Sequence, residues 1–95
     1  MSKRRVVITG LGIISPVGIG IPAAWQNIVA GKCGISRITH FDPSAMAAQI
    51  AGEVKDFDVT QYLSAKDARR MDRFIHFGLV AGIEAFKDSG LEVTE

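Results

Sequence analysis

The sequence predicts an α/β chain, and three observations carry that reading. Arg4 to Thr9 holds the β-branched run Val6-Val7-Ile8 and is closed by Gly10, as a strand would be. Ile21 to Ala30 carries Trp25, Ile28 and Val29 at helical spacing. Ala65 to Asp88 is a second, longer helical stretch, and two short extended segments lie between the helices.

The elements follow in order. Val6 to Ile8 is apolar without alternation, which fits a strand buried on both faces. Gly10 to Gly20 is glycine-rich, with Pro16 inside it, and reads as a loop. Pro22 suits the first turn of the next helix, where no backbone N–H is needed, and Gly31 is its natural stop. Gly34 to Phe41 reads as extended. Asp42-Pro43 signals a helix start, with Asp42 as cap and Pro43 at the first position, and predicts a brief helix over Ser44 to Ala48. Ile50 to Val54 is again extended, and Asp56 to Gln61 is a polar connection. Ser64 and Asp67 have capping-box spacing, with Asp in place of the usual Glu or Gln. They open the last element, which is interrupted near Asp72 and ended by Ser89-Gly90. There is no internal repeat, low-complexity tract or linker, so residues 1–95 read as one segment without an internal boundary.

Composition narrows the function classes. Of the 95 residues, 47% are hydrophobic and 22% charged, the balance of an ordinary globular protein. A net charge of +1 gives no global field for nucleic acid, so a charge-driven partner must be met by a local patch. Cys33 is the single cysteine, which rules out an internal disulfide and fits a reducing, cytoplasmic setting. Lys3, Arg4 and Arg5 before an apolar run look like the start of a signal peptide. Gly10, Gly12, Ser15 and Pro16 break that run too early. No stretch reaches the roughly 18 uncharged apolar residues of a membrane helix, so no membrane insertion is expected.

Phe74 to Ile83 is uncharged with His76 neutral, and its apolar residues do not keep to one face. Such a helix is expected to be buried all round. A chain of 95 residues can hardly enclose it and also cover both faces of a sheet. The sequence therefore reads as part of a larger protein, or as one whose helix is buried against a second copy. Trp25, Phe74, Phe77 and Phe86 are read as core.

The reactive side chains form no site of their own. Cys33 lies between Lys32 and Gly34 and is read as a small packing or turn residue. A Cys33–His40 dyad has no motif behind it, and His76 is read as a hydrogen-bonded core histidine. No second ligand sits at helical spacing from His76, so no metal is expected. Gly10, Gly12 and Gly18 after a strand invite a dinucleotide-binding reading. Ser15 stands where the third glycine or alanine belongs, and Pro16 delays the helix that would receive a pyrophosphate. The glycines more simply permit a tight turn and close backbone packing. Lys66, Arg69, Arg70 and Arg73 fall on one helical face and are the best functional candidates. Their plain alternative is a solvated face partly paired with Asp67 and Asp72.

Val6-Val7-Ile8-Thr9-Gly10-Leu11-Gly12, continuing through Ser15-Pro16-Val17-Gly18, resembles the opening of the β-ketoacyl synthase family. Gly31-Lys32-Cys33-Gly34-Ile35, Phe41-Asp42-Pro43-Ser44 and Ala51-Gly52-Glu53-Val54-Lys55-Asp56-Phe57 follow in family order. Arg69-Arg70-Met71-Asp72-Arg73-Phe74 and Asp88-Ser89-Gly90-Leu91 complete the set. Each piece is weak alone; the ordered set is specific, and it is most similar to the bacterial free-standing type II members.

The resemblance implies the N-terminal part of a thiolase-like fold, layered α-β-α-β-α with mixed sheets and incomplete in this chain, in a homodimer. It implies a cysteine that takes an acyl group as a thioester and two histidines that assist decarboxylation of malonyl-acyl carrier protein. None of the three falls in this segment, so the segment alone is expected to be inactive. No cofactor is implied. Family residues matching Lys66, Arg69 and Arg70 dock the acidic helix of acyl carrier protein at the mouth of the acyl tunnel. The alternatives kept are a non-catalytic chain-length-factor-like subunit, a polyketide synthase condensing subunit and, behind both, a dinucleotide-binding reductase.

Overall fold

The computed structural model describes residues 3–94. Two small antiparallel hairpins and three helices follow one another along the chain. Strands β1 (Ile14–Ser15) and β2 (Gly18–Ile19) pair first, with Ile14 opposite Ile19. Helix α1 covers Ile21–Val29. Strands β3 (Ile35–Arg37) and β4 (Ile50–Gly52) form the second hairpin, with Ser36 opposite Ala51. A 3-10 turn at Val59–Gln61 leads to the short helix α2 (Ala65–Ala68) and then to α3 (Arg73–Ser89).

The local signals act where the sequence puts them. Pro22 stands in the first turn of α1. Gly31 takes φ 74°, and the amides of Gly31 and Lys32 donate to the carbonyls of Ile28 and Asn27, both at 3.0 Å. That pattern satisfies two orphan carbonyls of the helix end. Ser64 Oγ accepts from the Asp67 amide at 3.1 Å and caps α2. Gly90, at φ 73°, ends α3.

Four expectations are corrected. Arg4 to Thr9 forms no strand, because a strand is defined by its ladder and no described residue offers one; Val6 is 91% exposed. The Gly10–Gly20 loop contains the β1–β2 hairpin, tightened by Ser15 Oγ donating to the Gly18 carbonyl at 2.9 Å. Ser44 to Ala48 is a single turn rather than a helix. Asp42 Oδ1 accepts from the Ser44 amide at 3.0 Å, and the Gln49 side-chain amide donates to the carbonyls of Ser44 and Met46. Those side chains supply local partners that compete with helical backbone bonds. The fourth correction concerns the core. Among the described residues the buried hydrophobic side chains are only Ala24, Ala68 and Val80.

The aromatic residues read as core are therefore open: Trp25 is 64% exposed, Phe74 71% and Phe86 45%. Phe77 alone is half-buried, edge-to-face with Phe57 at 5.3 Å between ring centroids. Helix α3 buries one side, not its whole circumference. The molecule exposes 7689 Å², where a compact protein of this mass exposes about 5,300 Å². Its radius of gyration is 17.1 Å, against about 12 Å for a compact chain of this length. The elements at hand cover too little of α1 and α3 to close a core.

Two glycine contacts hold the parts together. A Cβ on Gly12 would overlap the Ala81 carbonyl oxygen and stand 2.9 Å from the Ala85 nitrogen; one on Gly10 would overlap the Ala85 carbonyl oxygen. The N-terminal segment thus lies directly on the backbone of α3. Pro16 does the same between the hairpins: its ring sits where side chains on Gly34 and Gly52 would be, each 2.9 Å from the would-be Cβ.

Candidate functional site

The basic residues gather at the short helix. Lys66 lies on α2, Arg69 is its last helical-geometry residue at φ −68°, ψ −17°, and Arg70 follows; all three are exposed. The chain then leaves helical geometry at Asp72, at ψ 162°, before α3 starts. This break corrects the single basic face. Arg73 belongs to α3, and its guanidinium lies over the Phe77 ring, 5.2 Å from the centroid. The pairing with Asp67 and Asp72 that the plain alternative calls for does not form among the described residues. Among the described residues, the ion pair is His40–Glu53 at 3.4 Å, and none involves Lys66, Arg69 or Arg70.

Two hydrogen bonds from α3 bracket this basic turn. On the near side Tyr62 Oη donates to Glu84 Oε1 at 2.9 Å. The bond to that carboxylate, helped by burial and by the Glu84 charge, raises the phenol above its ordinary pKa. On the far side His76 Nε2 lies 2.8 Å from the Ala68 carbonyl. A carbonyl only accepts, so Nε2 carries the proton. This is the hydrogen-bonded histidine expected from its apolar setting, with Ala68 now as its partner.

Glu53 was not singled out by the sequence reading. It is the charged residue in the extended run Ile50 to Val54, and it is buried. Its oxygens accept from the Thr39 amide at 3.0 Å, Thr39 Oγ1 at 2.9 Å and the His40 amide at 3.2 Å, besides the His40 ring. Burial pushes its pKa up, but the bonds from Thr39 and His40 outweigh burial and hold it below the ordinary carboxylate value. It lines a groove of about 420 Å³ with His40, Gly52, Val54, Arg73 and Phe77. A carboxylate so fully engaged staples the end of β3 to β4 and has little freedom for acid–base work.

The other residues considered are accounted for locally. Cys33 is exposed, and its Sγ meets the Ile35 amide at 3.4 Å, as a turn residue would. His40 is turned to Glu53, which leaves no dyad with Cys33. The Gly10-Leu11-Gly12 backbone is filled by α3, and the Leu11 amide donates to Asp88 Oδ2 at 3.0 Å. An amide committed to a carboxylate is a poor start for a pyrophosphate cradle. Among the described residues, no group of three or more His, Cys, Asp or Glu could hold a metal ion. None of their helices is long and apolar enough to cross a membrane.

The family model for the β-ketoacyl synthase N-terminal domain matches residues 3–95. The 3-oxoacyl-[acyl-carrier-protein] synthase 2 of Vibrio harveyi is 55% identical over all 95 residues, which span 23% of that protein. The corresponding synthase of Synechocystis sp. is 48% identical over the same span. The solved ishigamide ketosynthase/chain length factor superposes with a TM-score of 0.81 at 33% identity, over 96% of this chain and 23% of that one. The chain thus spans about a quarter of the length of the curated relatives it matches. Its hairpins and helices take the arrangement of the N-terminal portion of a thiolase-like condensing-enzyme fold. On sequence and fold together, the chain belongs to the β-ketoacyl synthase family.

Proposed function

We propose that this segment serves a condensing enzyme of fatty-acid elongation and supplies the turn that docks acyl carrier protein. The observation that carries the docking reading is the group Lys66, Arg69 and Arg70: three exposed cations on one short helix and its exit, none in an ion pair with another described residue. Cations held free of internal partners suit an acidic partner surface, where they steer encounter and set orientation. The relatives' name, which includes the acyl carrier protein, supplies the partner's chemistry.

In the whole enzyme an acyl group passes from its carrier to a cysteine thiolate as a thioester. Malonyl-acyl carrier protein loses carbon dioxide, and the resulting carbanion attacks the thioester carbonyl. The thiolate leaves, and the 3-oxoacyl product on its carrier is two carbons longer. The cysteine and the two histidines of this scheme belong to the part of the protein beyond this segment. The segment contributes recognition, in a cytoplasmic homodimer without cofactor or metal.

The test is charge reversal in the full-length enzyme. Arg69→Glu with Arg70→Glu should raise KM for carrier-bound substrates by about tenfold or more. Turnover of a small thioester without the carrier should stay near that of the wild type. Equal losses on both substrates, or an unchanged KM for the carrier, would remove the docking role.

A second reading is a non-catalytic chain-length-factor-like subunit, favoured by the likeness to the ketosynthase/chain length factor structure. Intact-protein mass spectrometry after incubation with an acyl-acyl carrier protein separates the two. An acyl adduct on the full-length protein supports the enzyme, and its absence supports the non-catalytic subunit.

A further inference from the structure

We propose that α3 sets the position of the basic turn through two hydrogen bonds, which makes Tyr62 and His76 positioning residues for the carrier-protein encounter. This rests on the docking reading above. Helix α2 has four residues, and a helix that short has no stability of its own. Its placement must come from outside, and the structure supplies two ties to the 17-residue α3. Tyr62 Oη to Glu84 Oε1 at 2.9 Å fixes the chain ahead of Lys66. His76 Nε2 to the Ala68 carbonyl at 2.8 Å fixes the residue directly before Arg69 and Arg70.

The geometry of the second tie is specific. Ala68 is buried and its carbonyl also accepts from the Met71 amide at 3.2 Å, so the His76 ring closes on the turn that carries both arginines. The two ties stand eight and 22 residues apart in sequence and meet α3 at different turns. With both made, the cations have a fixed frame. With one lost, the turn keeps its charge but samples more orientations, and each productive encounter pays an ordering cost.

The chemistry selects the variants. A glutamine side chain presents an N–H donor near the place of imidazole Nε2, whereas leucine has the bulk and no donor. In the full-length enzyme, His76→Leu should raise KM for carrier-bound substrate by about two- to tenfold, the range of one lost hydrogen bond. The kcat, and activity on a small carrier-free thioester, should hold. His76→Gln should restore the wild-type KM. Tyr62→Phe removes the other donor with little change of volume and should repeat the KM effect, which keeps the proposal testable if His76→Leu folds poorly. Placed on the Arg69→Glu, Arg70→Glu background, neither variant should add a further loss.

Different failures point to different readings. If charge reversal raises KM while both Tyr62→Phe and His76→Leu leave it unchanged, docking stands and positioning by α3 is overturned. If charge reversal itself has no effect, the docking reading fails and this proposal falls with it. If Tyr62→Phe lowers activity on both substrates alike, its role is structural and the proposal is overturned.

Discussion

The Leu11 amide donates to Asp88 Oδ2 at 3.0 Å, joining residues 77 positions apart in sequence. This bond closes the N-terminal segment onto the last turn of α3, beside the contacts of Gly10 and Gly12 with the same helix. The join leaves no room for a side chain. Gly12→Ala should therefore destabilise the full-length protein by about 1–3 kcal/mol, the usual range for overpacking. A denaturation midpoint equal to that of the wild type would contradict the contact.

Glu53 makes a pH prediction with a definite sign. Its folded pKa lies below the reference value of 4.5. The carboxylate therefore adds stability that is fully present above pH 4.5 and is lost as pH falls through the lower folded value. Asp42 and Asp58, also lowered by bonds from Ser44 and Thr60, act in the same direction. Glu53→Gln should lower stability at neutral pH and flatten its fall on acidification. Thermal melts across this acid range check the point, and parallel curves for the two proteins would refute it.

Ser64 separates stability from the proposed docking. Ser64→Ala removes the cap of α2 and should cost about 1 kcal/mol. Ser64→Asp keeps a capping oxygen but sets a negative charge two residues before Lys66. The aspartate variant should melt near the wild type yet bind acyl carrier protein more weakly, as titration calorimetry would show. Equal binding by the two proteins would place the carrier elsewhere.

Gly78 and Gly82 lie on the open side of α3, where nothing stands within 4 Å of a would-be Cβ. Changing either to alanine should strengthen the helix by about 1 kcal/mol in the 95-residue chain. Circular dichroism would show the gain in helicity; a loss would mean that this side is already filled.

The ends of the three helices were legible in the sequence. Gly31, Ser64 and Gly90 mark helix boundaries because caps and positive φ angles are local matters. The parts of the fold that depend on distant partners were not. Val6 to Ile8 has strand composition but no ladder here, and the apolar surface of α3 does not say which of its sides the rest of this chain will cover. The Ser44–Ala48 turn was misread as a helix because Gln49, beyond the predicted segment, bonds the carbonyls of Ser44 and Met46. For the candidate site, spacing brought out Lys66, Arg69 and Arg70 and the interruption near Asp72, but not that the interruption carries Arg73 off their face and over Phe77. Glu53 escaped notice because one carboxylate in an apolar run reveals nothing of the Thr39 and His40 donors waiting for it.

The seating of Gly10 and Gly12 on α3 also bears on how this segment can change. The atoms that would meet a new Cβ are main-chain atoms of Ala81, Ala85 and Ser89. Trimming a side chain on the helix therefore frees no space, since no side chain is in the way. A selection that begins from Gly12→Ala should recover reversion to glycine and no compensating exchange at positions 81 or 85. The two positions are constrained by the helix's main chain, whatever residues the helix carries.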